Sequence, residues 1–413
     1  MIAESGLEEG GVEALAERLG VGSRHLRRLF LKHLGATPSA VAHTRRLHFA
    51  KKLIDETRLP MSQVALASGF GCVRRFNAAI QKTYRRTPTR IRRLARPAAA
   101  QPENQYLFLL RFRPPYDWNG MLEFLGKHAI PGVESVALGA YRRSILLNGH
   151  HGYFEVSLQE GTDALAVRIQ FSDPCSLFFI CERIRAMFDL NADWSAIARS
   201  LRTDPVLMKK VNAAPGMRVP GCWNGLELAI LAILGQQSNA TAGDIAGRMV
   251  RVFGAPMVGS GNLTHLFPSA EVLAKADLTN AGVSKGPAET IRILAREVCA
   301  GRLSFEGIVE SNSFIARLRE IPSIDDWTAE YIAMRALGEP DAFPAEDAAM
   351  LPALNLRNRA DLELRSEAWR PWRAYAAVYL WNGASERAGS RVNKSAFPRM
   401  RKAGSVARRV LRG

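Results

Sequence analysis

Cysteine is scarce in this 413-residue chain, and its spacing pairs nothing. Cys72, Cys175, Cys181, Cys222 and Cys299 form no C-x-x-C motif, and five is an odd number. This excludes a zinc-finger spacing or a disulfide framework and reads as reduced thiols in a cytoplasmic protein. No metal site built from side chains is expected, and no cofactor. Long apolar runs are missing too. The longest strongly apolar one, Leu226 to Leu234, is too short to span a bilayer, so no membrane partner is expected. The N-terminus has no basic-then-apolar signal pattern; it is acidic, with Glu4, Glu8 and Glu9. Acidic residues are absent from 387–413, which carry nine Lys or Arg.

What remains is the composition of a soluble globular protein, 47% hydrophobic and 23% charged, long enough for about two to four domains. The net charge of +17 is unevenly placed. Residues 1–100 hold 19 Lys or Arg against 7 Asp or Glu, and the segment between the two basic ends is mildly acidic. Charge that attracts a phosphate backbone therefore sits at the ends. The final stretch, 386–413, is punctuated by Pro, Gly and Ser and reads as a disordered basic tail.

The first 96 residues read as all helix. Val12, Leu15, Ala16 and Leu19 have helical spacing. Gly20-Val21-Gly22 makes a turn, and Ser23 is placed to cap a second helix, Arg24 to His33, that buries Leu26, Leu29 and Phe30. Arg24, Arg27 and Arg28 are left on its outer side. The unit recurs as helix 61–67, turn 68–71 and helix 73–84, with Phe76 and Ile80 inward and Arg74, Arg75 and Lys82 outward. A long helix, 38–56, separates the two units. Helix, tight turn and basic helix make the helix-turn-helix pattern, whose second helix enters the major groove.

The stretch VALASGFGCVRRFNAAIQKTYRRTPTRIRR resembles the AraC-type regulator domain, in particular its Ada-type branch. Arg86 departs from the Gly that the family usually has two residues before Thr-Pro. The resemblance implies binding to promoter sequences and contact with RNA polymerase. Ada-type proteins also carry an N-terminal cysteine-rich zinc domain that accepts methyl groups; none precedes the helices here, so methyl sensing is not carried over. Either the chain start is internal to a longer product, or the sensor is lacking.

Arg96 to Gln101, small and Pro-flanked, reads as part of a linker spanning 97–104. Residues 105–176 read as a small α+β module. Strands are expected at Tyr106 to Phe112, Tyr141 to Leu147, Tyr153 to Leu158 and Leu165 to Phe171, with a helix from Trp118 to Lys127. Residues 177–385 return to helices. RPPYDWNGMLEFL, VPGCWNGLELAILAILGQQ, IPSIDDWTAEYIAMRALGEPDAF and EAWRPWRAYAAVYLW, in that order, resemble the AlkA-type 3-methyladenine DNA glycosylase II, a helix-hairpin-helix glycosylase. The expected fold class is therefore multidomain and mainly α: an all-α double helix-turn-helix domain, an α+β module and an all-α helix-hairpin-helix glycosylase domain.

The resemblance implies a chemistry. Cutting the bond between a base and its sugar requires the nucleotide out of the stack. An alkylated base leaves as a ready-made cationic group, so one carboxylate suffices to stabilise the cation-like sugar and orient water. Asp347 stands at the family's catalytic position. Trp327, Tyr331 and Trp381 stand at its aromatic pocket positions, where a cationic ring gains about 0.5–2 kcal/mol over each electron-rich face. Trp369, Trp372 and Tyr375 read as core. Trp327 and Thr328 occupy the region where bifunctional relatives place a Schiff-base lysine, which implies a monofunctional enzyme without lyase activity. Gln237 comes after Gly235-Gln236, where relatives place a side chain that wedges into the DNA.

The hairpin departs from the pattern. The family's Pro-Gly-Ile-Gly is here Pro322, Ser323, Ile324 and Asp325, followed by Asp326. A positive φ would be strained without glycine, and two carboxylates would face a phosphate. The family's monovalent cation on the hairpin backbone is counted against for the same reason. The basic N-terminal domain and tail are expected to supply the missing grip. The sequence thus reads as a monomeric DNA glycosylase for alkylated bases in duplex DNA, fused to a sequence-specific regulator. The alternative is a regulator of the alkylation response whose glycosylase part is degenerate.

Overall fold

The computed structural model describes residues 11–19, 21–95, 102–235, 242–306 and 310–388. The helices α1 (Gly11–Arg18), α2 (Ser23–Leu34), α3 (Pro38–Glu56), α4 (Met61–Ala67), α5 (Val73–Tyr84) and α6 (Pro88–Leu94) come first. Two of them start alike. Thr37 and Thr87 each accept a hydrogen bond from the backbone three residues on, and each is followed by a proline at the first helical position. The threonine satisfies an otherwise orphan amide, and proline has no amide to orphan. Ser23 does not cap α2 as expected; it is the helix's first residue, and Gly22 precedes it without a side-chain bond.

The two helix-turn-helix units differ in what they bury. Val12, Leu15, Ala16 and Leu26 form a small core of their own between α1 and α2. The second unit shares its core with a β-sheet module. Its Leu53, Val64, Phe76 and Ile80 belong to one cluster with Phe108, Phe154 and Ile180.

That module is a five-stranded antiparallel sheet: β1 (Gln105–Arg111), β2 (Glu134–Ala137), β3 (Ala140–Leu147), β4 (His150–Leu158) and β5 (Ala164–Phe171), in the order β1-β5-β4-β3-β2. Helix α7 (Trp118–Lys127) lies between β1 and β2. The strand β2 escaped the sequence reading because ESVA is too short to show alternation. Asn148 and Gly149 turn β3 into β4 with φ of 51° and 77°, the left-handed pair that Asn-Gly tolerates best.

The edge strand β1 is covered by α3. Lys52 donates to the carbonyl of Leu109 at 2.6 Å, and Glu56 accepts from the amide of Leu109 at 3.3 Å. The same two side chains pair with each other at 2.8 Å. They occupy backbone groups that an exposed edge would offer to another chain. Phe49 of α3 packs beneath them, 4.9 Å from Phe178 and 6.2 Å from Phe108 between ring centres. Arg45 reaches Glu182 at 2.5 Å.

The remaining helices are α8 (Leu177–Met187), α9 (Trp194–Leu201), α10 (Pro205–Ala213), α11 (Gly225–Leu234), α12 (Ala242–Phe253), α13 (Ala270–Leu273), α14 (Lys285–Cys299), α15 (Ser311–Arg319), α16 (Asp326–Ala336), α17 (Leu351–Leu354), α18 (Arg359–Ser366) and α19 (Arg373–Ala388). A two-stranded hairpin, β6 (Pro256–Ser260) with β7 (Leu263–His265), interrupts the expected run of helices. The apolar face of α8 packs into the sheet's core, while α11 is buried almost all round and forms the centre of the helical core. Among the described residues no helix is long and apolar enough to cross a membrane, and no group of three or more His, Cys, Asp or Glu could hold a metal ion.

Candidate active site

The hairpin after α15, the helix α16, the loop after it and the last helix α19 bring the candidate residues together. Asp325 extends before α16 and accepts from the amide of Thr328 at 2.8 Å, which fixes the helix start. Trp327, Tyr331 and Arg335 then lie one turn apart on one face. The loop returns because Glu330 on α16 accepts from the amide of Phe343 at 3.1 Å. Phe343 in turn packs edge-on against the fully buried Trp369. Pro344 comes next, and its carbonyl accepts from the amide of Asp347 at 3.0 Å.

Asp347 is 2% exposed. Trp381 of α19 donates its indole N–H to Oδ2 at 2.6 Å, and Trp327 donates to the same oxygen at 3.4 Å. Oδ1 accepts from the amide of Ala349 at 2.9 Å. Burial pushes the carboxyl pKa above its ordinary value; the Ala349 amide and then the two indoles oppose that rise. The adjacent Glu346 is held elsewhere, in an ion pair with Arg359. One desolvated carboxylate therefore stands under two half-buried indoles.

The aromatic residues have distinct places. Trp327 and Tyr331 stack with ring centres 5.0 Å apart and planes 10° apart. Tyr331 lies 6.2 Å from Trp381 at a tilt of 60°. Trp327 and Trp381 keep partial exposure, whereas Tyr331 is 5% exposed. Tyr331 is thus the floor beneath Trp327 and not an open wall. Trp369 and Tyr375 are buried and their polar tips reach Asp204 and Asp189.

The hairpin between α15 and α16 corrects part of the expectation. Ser323 does take a positive φ, of 67°. The left-handed region costs a non-glycine residue about 1 kcal/mol. But neither carboxylate is left to face a phosphate unaided. Asp325 is consumed as the helix cap, and Asp326 pairs with Arg319 at 2.6 Å. Pro322 and Ser323 are exposed, Ile324 is buried, and the carbonyl of Pro322 accepts from Thr290 at 3.0 Å. Gln237 lies outside the described residues.

On the helix-turn-helix units, Arg24, Arg27 and Arg28 of α2 and Arg74, Arg75 and Lys82 of α5 are all exposed. Arg27 pairs with Glu13 at 2.7 Å, and Arg28 meets His25 at 3.0 Å. Arg74, Arg75 and Lys82 form no ion pair among the described residues, so α5 presents the less neutralised face.

Sequence reading missed three contributors: Glu330, which sets the loop; Arg319, which neutralises the hairpin; and Arg335, which holds Tyr331. Arg335 carried a signal, its four-residue spacing from Tyr331. The other two contacts join segments that sequence spacing does not relate.

Known proteins match this chain along the same division. The family profile described as the AlkA N-terminal domain matches residues 107–224, and that of a helix-turn-helix domain matches residues 15–94. The chain is 37% identical over 391 residues, 92% of its own length and 78% of the relative's, to the "Probable bifunctional transcriptional activator/DNA repair enzyme AlkA" of Mycobacterium tuberculosis. It is 28% identical to DNA-3-methyladenine glycosylase 2 of Escherichia coli, covering 67% of this chain and 96% of that one. Among solved structures, the 3-methyladenine DNA glycosylase of Archaeoglobus fulgidus aligns over 67% of this chain and 98% of its own, with a TM-score of 0.59 at 22% identity, a likeness of fold. An 8-oxoguanine glycosylase/lyase of Clostridium acetobutylicum aligns over 70% of this chain and 97% of its own with a TM-score of 0.54 at 16% identity, so the fold is common to enzymes with and without a lyase step in their names.

Proposed function

We propose, for a chain that belongs to the AlkA family of bifunctional transcriptional activator/DNA repair enzymes, that its own residues excise alkylated bases of the 3-methyladenine type from duplex DNA. The observation that carries this reading is Asp347, a single buried carboxylate held by two indole N–H groups and a backbone amide.

The geometry suits a dissociative cut. A flipped, cationic base enters between the half-buried faces of Trp327 and Trp381, where the rings' negative faces attract it. The donors on Asp347 hold its carboxylate in one place, ready for positive charge developing at the sugar's anomeric carbon. The bond electrons leave with the base and neutralise it. A water on the open side, oriented by Asp347, bonds to the anomeric carbon and gives its proton to the carboxylate, which completes the hydrolysis. The two domains 1–96 and 177–385, with the 105–176 module between, serve regulation and excision respectively. The exposed cations of α2 and α5 bind the phosphate backbone and read the groove of a promoter.

A Schiff-base step is not part of this proposal, because Trp327 and the buried Thr328 occupy the start of α16. The enzyme is then monofunctional and leaves an abasic site. The test is release of alkylated bases from duplex DNA by wild type and Asp347→Asn, with borohydride trapping in parallel. Wild-type release that the variant lacks, and no trapped adduct, is the expected result. Equal release by both would remove Asp347 from its role; no release by wild type would leave a regulator with a degenerate pocket.

A further inference from the structure

We propose that Arg335 is a positioning residue for excision: its guanidinium fixes the ring of Tyr331, the stacked Trp327, and through the Trp327 indole the carboxylate of Asp347. The inference rests on the excision reading above and adds to it a residue that touches no reacting atom.

Arg335 is 6% exposed and among the described residues forms no ion pair. A buried guanidinium without a carboxylate is costly, and such a group persists where its fork of donors is used. Here all three nitrogens donate. Nε reaches the carbonyl of Pro220 at 2.7 Å, Nη2 that of Gly221 at 3.2 Å, and Nη1 the hydroxyl of Tyr331 at 2.6 Å. The carbonyls belong to the segment entering α11, at the centre of the helical core, so the fork is anchored on a rigid part. The guanidinium also lies close to two aromatic rings, with Cζ 4.7 Å from the ring centre of Phe124 on α7 and 5.3 Å from that of Tyr331.

The relay continues along one helix face. Trp327, Tyr331 and Arg335 are spaced by four residues, so Tyr331 has Arg335 on one side and Trp327 on the other. Trp327 stacks at 5.0 Å, and its indole ends on Oδ2 of Asp347. The rotation of the stacked pair is set by the polar contacts at its two ends. A pocket of this kind must hold its groups within a fraction of an ångström of the productive arrangement. Arg335 provides the end remote from the chemistry.

The test uses the full chain with Arg335→Lys, Arg335→Met and Tyr331→Phe. Lysine keeps the charge but not the fork, methionine keeps the stem, and phenylalanine removes only the accepting hydroxyl. Expected in each is a fall of about ten- to hundredfold in kcat on alkylated duplex, with KM changed less. The near-UV circular dichroism of the stacked Trp–Tyr pair should change in the two Arg335 variants, which keep both rings, and in all three the acidic limb of the pH–rate profile should move to higher pH as the Trp327 donor loses alignment. Arg335→Lys combined with Tyr331→Phe should be no worse than the poorer single variant. Rescue by lysine, an unchanged spectrum in Arg335→Lys, or an unchanged limb in Tyr331→Phe would overturn the proposal. The spectrum of Arg335→Lys decides even if the wild type released no base, an outcome that would sink the excision reading separately. If Arg335→Met does not fold, Arg335→Lys and Tyr331→Phe still decide.

Discussion

Trp381 on α19 donates to Oδ2 of Asp347 at 2.6 Å, across 34 residues of sequence. The last helix of the described chain thereby fixes the carboxylate presented by the loop after α16. Trp381→Phe keeps an aromatic wall and removes the donor. We expect about a tenfold or greater loss of kcat with little loss of stability, since the indole is half-buried. Base release under single-turnover conditions checks it, and an unchanged rate would mean the bond is incidental.

The raised pKa of Asp347 gives excision a pH dependence of known sign. The proposed role needs the ionised form, and burial favours the neutral one. Activity should therefore fall on acidification at a pH above the ordinary carboxylate range. Trp381→Phe, which removes a group that lowers the pKa, should move that limb further up. A limb at or below the ordinary range would contradict the geometry.

Asp189 predicts a second pH effect, on stability. Burial raises its carboxyl pKa to about 6, against the bond from Tyr375 and the field of Arg218. The folded state keeps its proton longer than the unfolded state does. The stabilisation is present below the unfolded value and is lost as pH rises through about 6. The loss should be on the order of 3 kcal/mol between acid and neutral pH. Asp189→Asn should flatten this dependence in urea titrations at several pH values; an unchanged slope would exclude the group.

The hairpin offers a gain-of-function prediction. Ser323→Gly relieves a left-handed φ and should raise stability by about 1 kcal/mol. Asp326→Asn removes a negative charge beside the hairpin and leaves Arg319 only its longer pair with Glu330 at 3.8 Å, so affinity for undamaged duplex should rise severalfold at low salt and less at high salt. Unchanged affinity at low salt would mean that the hairpin does not approach phosphate.

The covering of β1 by α3 makes a prediction about folding and one about DNA. Phe49→Ala should cost about 3–5 kcal/mol and destabilise the second helix-turn-helix unit and the sheet together, so tryptophan fluorescence and far-UV signals should shift to the same lower midpoint. For the same reason, the contribution of α5 to DNA binding is better tested by side-chain variants than by deleting residues 1–95, which would uncover Phe108 and the backbone edge of β1. Arg74→Ala, Arg75→Ala and Lys82→Ala combined should reduce the salt slope of log affinity by about 2 to 3. An unchanged slope would place the DNA grip elsewhere.

The helices of the first hundred residues are legible because periodicity and glycine turns are local signals, whereas the caps are not: Ser23 is inside its helix, and Thr37 and Thr87 do the capping. Helix 61–67 and helix 73–84 lie where the spacing puts them. The β2 strand and the β6–β7 hairpin were not legible, since segments of three to five residues carry no period. Asp325 shows the limit from another side. Its charge suggested repulsion of phosphate, but a carboxylate before a helix has its own use, and the amide of Thr328 takes it.

By itself the sequence determined the residue types of the proposed pocket and the helix that carries two of its rings, because Trp327 and Tyr331 are one turn apart on any helix. It also determined the basic faces of α2 and α5, which result from the alternation of apolar and charged positions. Only the tertiary structure decided which groups meet: Trp381 with Asp347, Glu330 with Phe343, Arg319 with Asp326, Arg335 with two carbonyls more than a hundred residues away, and α3 with the edge of the sheet. Hydrogen bonds and desolvation act through distances of a few ångströms. Those distances arise only once separate helices have packed.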